Sequence, residues 1–181
     1  MKESQNSIEL LVMKSYILKK GVRSILEIGS RYGTTLYEMA KCTPKGSKIV
    51  SVELAGGPWG RPDSLPKLLE VIKKLNYEGY DAEVILGDSS DAMIVERVRA
   101  LGPFDFVFID GDHTYHGALS DWENYSPIGR YVGFHDIDTT LEVAALWKSL
   151  KKIRKKKECM EIIADSGPKM GIGILRGGVY A

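Results

Sequence analysis

Cys159-Met160-Glu161-Ile162-Ile163-Ala164 and Gly171-Ile172-Gly173-Ile174-Leu175 are two short apolar runs near the end of the sequence. Each has the length and residue types of a strand. Only Asp165 to Met170 separates them. Parallel neighbours need a crossover of about a dozen residues or more, whereas antiparallel neighbours need only a turn. The two runs are therefore expected to pair as an antiparallel hairpin. This reading decides the fold, because everything before the hairpin alternates strand with helix.

Working back from the hairpin, Leu141 to about Lys156 reads as a helix and Arg130 to Phe134 as a strand. Tyr115 to Tyr125 is helical, bounded by Pro127 and Gly129, and Phe104 to Asp110 is an apolar strand. Ala92 to Leu101 is a helix stopped by Gly102-Pro103, and Asp81 to Leu86 is a strand. Before it, Asp63 or Ser64 can cap a helix whose apolar face holds Leu65, Leu68, Leu69, Ile72 and Leu75. Lys48 to Glu53 is a strand, Thr34 to Cys42 a helix, and Ser24 to Gly29 the first strand. Ser7 to Lys20 is a leading helix with Ile8, Leu11, Val12, Ser15 and Leu18 near one face, ended by Gly21. Strands alternating with helices imply an α/β fold: a mostly parallel sheet with helices on both faces, here seven strands ending in the hairpin. One domain over residues 1–181 is expected, with residues 1–21 as an N-terminal helix and residues 22–181 as the core.

Bulk properties set the remaining bounds. A chain of 181 residues can bury one sizeable core. With 44% hydrophobic residues, 27% charged residues and a net charge of +1, the composition argues for neither nucleic acid nor an anionic membrane as partner. No apolar run approaches the ~18 residues of a membrane span, and the first residues lack the apolar core of a signal peptide. The two cysteines, Cys42 and Cys159, form no metal or redox motif and suit buried free thiols in a cytoplasmic protein. Lys151 to Lys157 is a basic run that suits a solvated helix end. Trp122 and Trp147 have core spacing, His116 suits a helix surface, and Trp59 and Arg61 lie in a Gly- and Pro-rich loop that could cover a ligand.

Chemistry concentrates at the expected strand ends, where open α/β sheets bind ligands. The strand Phe104-Asp105-Phe106-Val107-Phe108-Ile109 runs into Asp110-Gly111-Asp112-His113. Asp-Gly is also a common turn pair, so a turn and a site both fit this stretch. The first strand runs into Glu27-Ile28-Gly29-Ser30-Arg31-Tyr32-Gly33, whose glycines let a ligand approach the backbone. Glu53 closes the second strand, where a carboxylate can accept from both ribose hydroxyls of a nucleoside. Asp88 and Ser89 close the third, and His135-Asp136-Ile137-Asp138 follows the fifth.

These motifs resemble those of class I S-adenosylmethionine-dependent methyltransferases, whose seven-stranded Rossmann-like sheet also ends in a hairpin. Glu27 to Gly33 is similar to their first motif, with Arg31 in place of the middle glycine. Residues 108–115 and 133–136 resemble the short O-methyltransferases with an Asp-Gly-Asp-His-x-Tyr signature, relatives of the catechol and sugar O-methyltransferases. The likeness covers roughly residues 22–176. It implies that S-adenosylmethionine is held by Glu27, Gly29, Ser30, Gly33, Glu53, Leu54, Asp88, Ser89 and Asp110. It also implies a divalent metal, Mg²⁺ or Mn²⁺, on Asp110 with His135 and Asp136. A second alignment pairs Asp136 with Ile137, which cannot coordinate. A metal-independent reading, in which only the histidine acts, stays open.

A hydroxyl is a poor nucleophile at neutral pH, so a metal and a base would serve the same end. His113, with an unperturbed pKa near ~6.5, has the place of the base, and Asp110 stands beside it. The resulting expectation is methyl transfer to a hydroxyl of a small molecule or a glycan. With no long insertion to form a lid, a homodimer could complete the pocket. The alternatives are a nucleic-acid methyltransferase, suggested by the lysine run, and a non-catalytic S-adenosylmethionine-binding module.

Overall fold

The computed structural model of the chain describes residues 6–56, 63–153, 158–167 and 169–178. Trp59, Arg61 and residues 154–157 of the lysine run lie outside the described residues. Seven strands form one sheet: β1 (Ser24–Ile28), β2 (Lys48–Glu53), β3 (Asp81–Leu86), β4 (Phe104–Ile109), β5 (Gly129–Phe134), β6 (Cys159–Ile162) and β7 (Ile172–Arg176). The helices are α1 (Ser7–Lys20), α2 (Thr34–Ala40), α3 (Ser64–Tyr77), α4 (Ala92–Leu101), α5 (Tyr115–Tyr125) and α6 (Leu141–Ile153), with a 3₁₀ turn at Ser126–Ile128.

The strand order is β3-β2-β1-β4-β5-β7-β6. β1 to β5 run parallel, and β7 is antiparallel to both β5 and β6. The short 165–170 connection thus forces the reversal expected of it. The order turns back between β1 and β4, so the carboxyl ends of β1, β2, β4 and β5 open on one crevice.

Side-chain alternation divides the core into two layers. Ile25, Ile49, Phe106, Phe108, Ile172 and Ile174 pack against Met13 and Ile17 of α1, Leu36 and Met39 of α2, and Leu68, Ile72 and Leu75 of α3. Leu26, Val50, Val107, Ile109 and Val132 face Val95 and Val98 of α4, Trp122 of α5, and Leu146 and Trp147 of α6. The central strands are apolar on both faces because both are covered. Trp122 and Trp147 are core residues, and His116 is exposed. Cys42 is buried, whereas Cys159 is half-buried, and the two form no disulfide.

The leading helix departs from its expected orientation. Ile8, Leu11 and Leu18 are 46%, 62% and 61% exposed, whereas Glu9, Met13 and Ile17 are fully buried. The cause is the hairpin: the Glu9 carboxylate accepts from Ala164 N–H through Oε1 and from Gly171 N–H through Oε2, each at 3.0 Å. Buried backbone donors must find acceptors, and these two turn the helix so that Glu9 faces inward. Asn6 caps α1, accepting from Ile8 N–H at 2.9 Å, and its amide donates to Ser166 O at 3.1 Å. On α3 the expected face holds except Leu69, which is 46% exposed. Asp63 makes no capping bond to that helix and pairs with Lys67 at 2.6 Å instead.

Candidate active site

Every residue assigned from the sequence to the site, except Gly33, lines one cavity of about 780 Å³ at the carboxyl ends of the strands. Gly33 starts α2 with φ +75°, and a Cβ there would lie 2.9 Å from Leu68 Cδ1. Gly33 does not line the cavity, and its left-handed backbone and the packing of α2 on α3 both suit a glycine.

The β1 turn is shaped by close approach. Gly29 has φ +85°, and a Cβ at this position would lie 2.4 Å from the Asp110 carbonyl oxygen. Gly29 N–H donates to Val52 O and Asp110 N–H to Ile28 O, both at 2.9 Å, so the ends of β1, β2 and β4 are tied together. Glu27, on β1, is buried, and neither carboxylate oxygen has a hydrogen-bond partner. Burial pushes this carboxyl up to about 8, with the Ser30 side chain offsetting part of the effect. Ser30 Oγ itself accepts from the Ser51 hydroxyl at 2.8 Å.

Glu53 accepts from Arg31 N–H at 2.8 Å through Oε2. Burial raises its carboxyl, and the Arg31 N–H opposes the rise. Arg31, the non-glycine of the turn, adopts φ +49° and stacks its guanidinium 4.9 Å from the Tyr32 ring centre. Asp88 accepts from Ser90 N–H at 2.8 Å and from the Ser90 hydroxyl at 2.7 Å, bonds that hold its carboxyl below the usual range. It is thus a turn former that also lines the cavity.

The Asp-Gly-Asp-His stretch likewise does both jobs. Asp112 shapes the turn: Oδ1 accepts from Thr114 N–H at 2.8 Å, and Thr114 caps α5. Asp110 and His113 face the crevice. His113 Nε2 is 3.3 Å from Asp110 Oδ1, and its Nδ1 is 3.2 Å from Asp136 Oδ2. From β5, His135 Nδ1 approaches Asp110 Oδ1 at 3.0 Å and Asp136 Oδ1 at 3.5 Å, while its Nε2 is buried without a partner. Asp136 is held at φ +60°, a conformation that persists for a non-glycine only where its surroundings enforce it.

Charge follows from this arrangement. Burial opposes ionisation of Asp110, but His135 and His113 outweigh it and hold the carboxyl low. The bond to Asp110 raises His113 against the opposing effect of burial. Burial alone would lower His135; Asp110 and Asp136 override it and push the imidazole up to about 10.

One ligand atom from each of Asp110, His113 and Asp136 lies within 4.8 Å of the others, a spacing that a single metal ion can bridge. His113 therefore sits in the donor group with the two aspartates, beside His135. Of the two pairings open in the sequence, the one with His135-Asp136 faces the crevice, because Ile137 is buried in the core. Thr114, Thr140, Glu142 and Met170 also line the cavity but were missed in the sequence. Their only sequence signal is position, at the first turns of α5 and α6 and in the hairpin loop.

The comparisons with known proteins agree with this architecture. Residues 26–137 match the family model of a methyltransferase domain. The fold is similar to an O-methyltransferase from Bacillus cereus solved in complex with SAH, at 17% identity and a TM-score of 0.67, covering 97% of this chain and 84% of that one. It is also similar to the O-methyltransferase TomG from Streptomyces achromogenes, involved in tomaymycin synthesis and solved with SAM. That match has 15% identity and a TM-score of 0.66, over 97% of this chain and 82% of that one. No curated protein matches the chain in sequence.

Proposed function

Since the chain belongs to the methyltransferase-domain family that its residues 26–137 match, we propose that it transfers the methyl group of S-adenosylmethionine to a hydroxyl of a small molecule or glycan. The observation carrying this reading is a single cavity lined by two chemically different sets of residues, a glycine turn with Glu27, Glu53 and Asp88, and the group Asp110, His113 and Asp136.

Glu27 is the cavity residue that most needs a ligand. A buried carboxyl with both oxygens unpartnered is costly unless a ligand completes it, and the ammonium of the cofactor's methionine part is a suitable donor. Glu53 would take the ribose hydroxyls, and Gly29 would let the chain approach the cofactor closely. Asp88, Ser89 and Leu54 would border the adenine. The SAH and SAM held by the two similar structures support the choice of nucleoside.

Thr114, Thr140 and Glu142 give the acceptor a polar wall, which suits a hydroxyl-bearing molecule. Asp110 and Asp136 would hold a divalent cation: two hard carboxylates suit Mg²⁺, and His135 beside them would admit Mn²⁺, which leaves the His113 ring free for the proton. Such a cation would lower the pKa of the acceptor hydroxyl and neutralise the two carboxylates. His113 is the group that takes the proton, and Asp110 and Asp136 set its ring orientation through its two nitrogens. Relief of the carboxylate charge beside it lets its imidazole go neutral and act as base.

Calorimetry with S-adenosylmethionine and with NAD tests the first step. Micromolar binding of the former alone is expected. Binding of NAD alone would refute the reading. Mass spectrometry of polyhydroxyl acceptors incubated with enzyme and cofactor then reads methyl transfer directly.

A further inference from the structure

Arg31 lies in the turn after β1 and lines the cavity, where it is the only lysine or arginine among the described lining residues. Its backbone sits at φ +49°, a conformation that glycine adopts freely and that other residues keep only where their surroundings enforce it. The Arg31 N–H donates to Glu53 Oε2 at 2.8 Å, and a glycine would make that bond equally well. The reason for an arginine must therefore lie in its side chain.

That side chain is only partly engaged. Its guanidinium lies over the Tyr32 ring, 4.9 Å from the ring centre. Stacking occupies the flat face of a guanidinium and leaves its in-plane N–H donors to meet an anion. The Nε of Arg31 is buried without a hydrogen-bond partner, and an unmatched buried donor on a charged group is costly.

The other lining residues indicate what kind of ligand group would complete it. Carboxylates outnumber cations in the cavity, and its two histidines already pair with Asp110 and Asp136. An anionic group that enters is repelled by most of the wall and is matched by Arg31. Glu27, in the same stretch of chain, has the opposite need: both of its oxygens are buried without a partner. A carboxyl and a guanidinium that both lack partners suit a zwitterion, with its ammonium on Glu27 and its carboxylate on Arg31.

We propose that Arg31 binds the α-carboxylate in the amino-acid part of the nucleoside ligand, and so makes the cavity select the amino-acid form over decarboxylated nucleosides. The inference rests on the reading that S-adenosylmethionine occupies this cavity.

The test is calorimetry on the full chain at pH 7.5 with two ligands, S-adenosylhomocysteine and its decarboxylated analogue, an aminopropylthioadenosine that keeps the ammonium and lacks only the carboxylate. Wild type should bind the analogue about 10- to 100-fold more weakly, the loss of a charge-assisted bond. Arg31→Met should weaken S-adenosylhomocysteine by a similar factor and leave the analogue within about twofold, because residue and carboxylate form one contact. Arg31→Lys, which keeps the charge without the planar fork, should fall between. Thermal melts separate this from a structural role: Arg31→Gly, which relieves the positive φ, should melt at or above the Arg31→Met temperature and bind S-adenosylhomocysteine as weakly.

Equal losses for the two ligands in Arg31→Met, or no loss for either, would overturn the proposal and leave the nucleoside reading intact. So would wild type that binds the analogue as tightly as S-adenosylhomocysteine. If neither Arg31→Met nor Arg31→Gly folds, the residue is a structural one and the proposal fails. Wild type that binds neither ligand would instead remove the nucleoside reading, and this inference with it.

Discussion

Replacing Gly29 with alanine would put a methyl group 2.4 Å from the Asp110 carbonyl oxygen and 2.6 Å from Gly111 Cα. Both are backbone atoms, so no rotamer change can relieve the contact. The left-handed backbone at φ +85° costs an alanine about 1–2 kcal/mol, and overpacking adds about 1–3 kcal/mol. If β4 retreats to make room, the 2.9 Å bond from Asp110 N–H to Ile28 O weakens, losing about 1 kcal/mol. The expected loss is about 3–6 kcal/mol. Gly21 is the internal control: it is also left-handed, at φ +63°, but nothing lies within 4 Å of its missing Cβ. Gly21→Ala should therefore lose only the backbone part, about 1 kcal/mol. Urea unfolding followed by circular dichroism measures both variants, with m-values compared to confirm that the unfolded state is unchanged. A melting shift of about 2–4 °C per kcal/mol puts Gly29→Ala roughly 10 °C below wild type and Gly21→Ala only a few degrees below. Equal losses in the two variants would refute the claim that the close approach of β1 to β4 explains Gly29.

Three further outcomes are expected. Glu9→Ala strands the buried Ala164 and Gly171 N–H groups and should cost about 3 kcal/mol. Hydrogen exchange should rise first in the 158–176 hairpin, and unchanged exchange there would count against Glu9 as its tether. Glu27 titrates near 8 in the free protein, so at pH 7 it is mostly neutral, and binding the cofactor's ammonium should ionise it. Binding then releases a proton, and affinity should rise with pH until about 8 and level off above it. Calorimetry in buffers of different ionisation enthalpy reads this release, and an enthalpy independent of buffer would exclude it. Finally, EDTA and Asp110→Ala should each abolish turnover if a metal assists, while His113→Ala should lower kcat at least 100-fold with cofactor affinity within about twofold. Full activity in EDTA would remove the metal, and full activity of His113→Ala would remove the base.

What the sequence determined by itself was the set of strands, their direction and the groups at their ends. The 165–170 connection is too short for a crossover, so the final reversal is local information. Apolar runs ending on Glu53, Asp88, Asp110 and His135-Asp136 share one side of the sheet because parallel topology aligns carboxyl ends. These are consequences of period and chain length, which can be read along the sequence. Tertiary structure alone decided the rest. The inward face of α1 is set by two N–H groups on a hairpin more than 150 residues away, which outvote the exposed stripe of Ile8, Leu11 and Leu18. Gly29 is glycine because of the Asp110 backbone, a neighbour distant in sequence. His113 is held between Asp110 and Asp136 only because β4 and β5 lie side by side. Local pattern fixes elements and their ends, whereas charge state and partner choice depend on which elements the folded chain brings into contact.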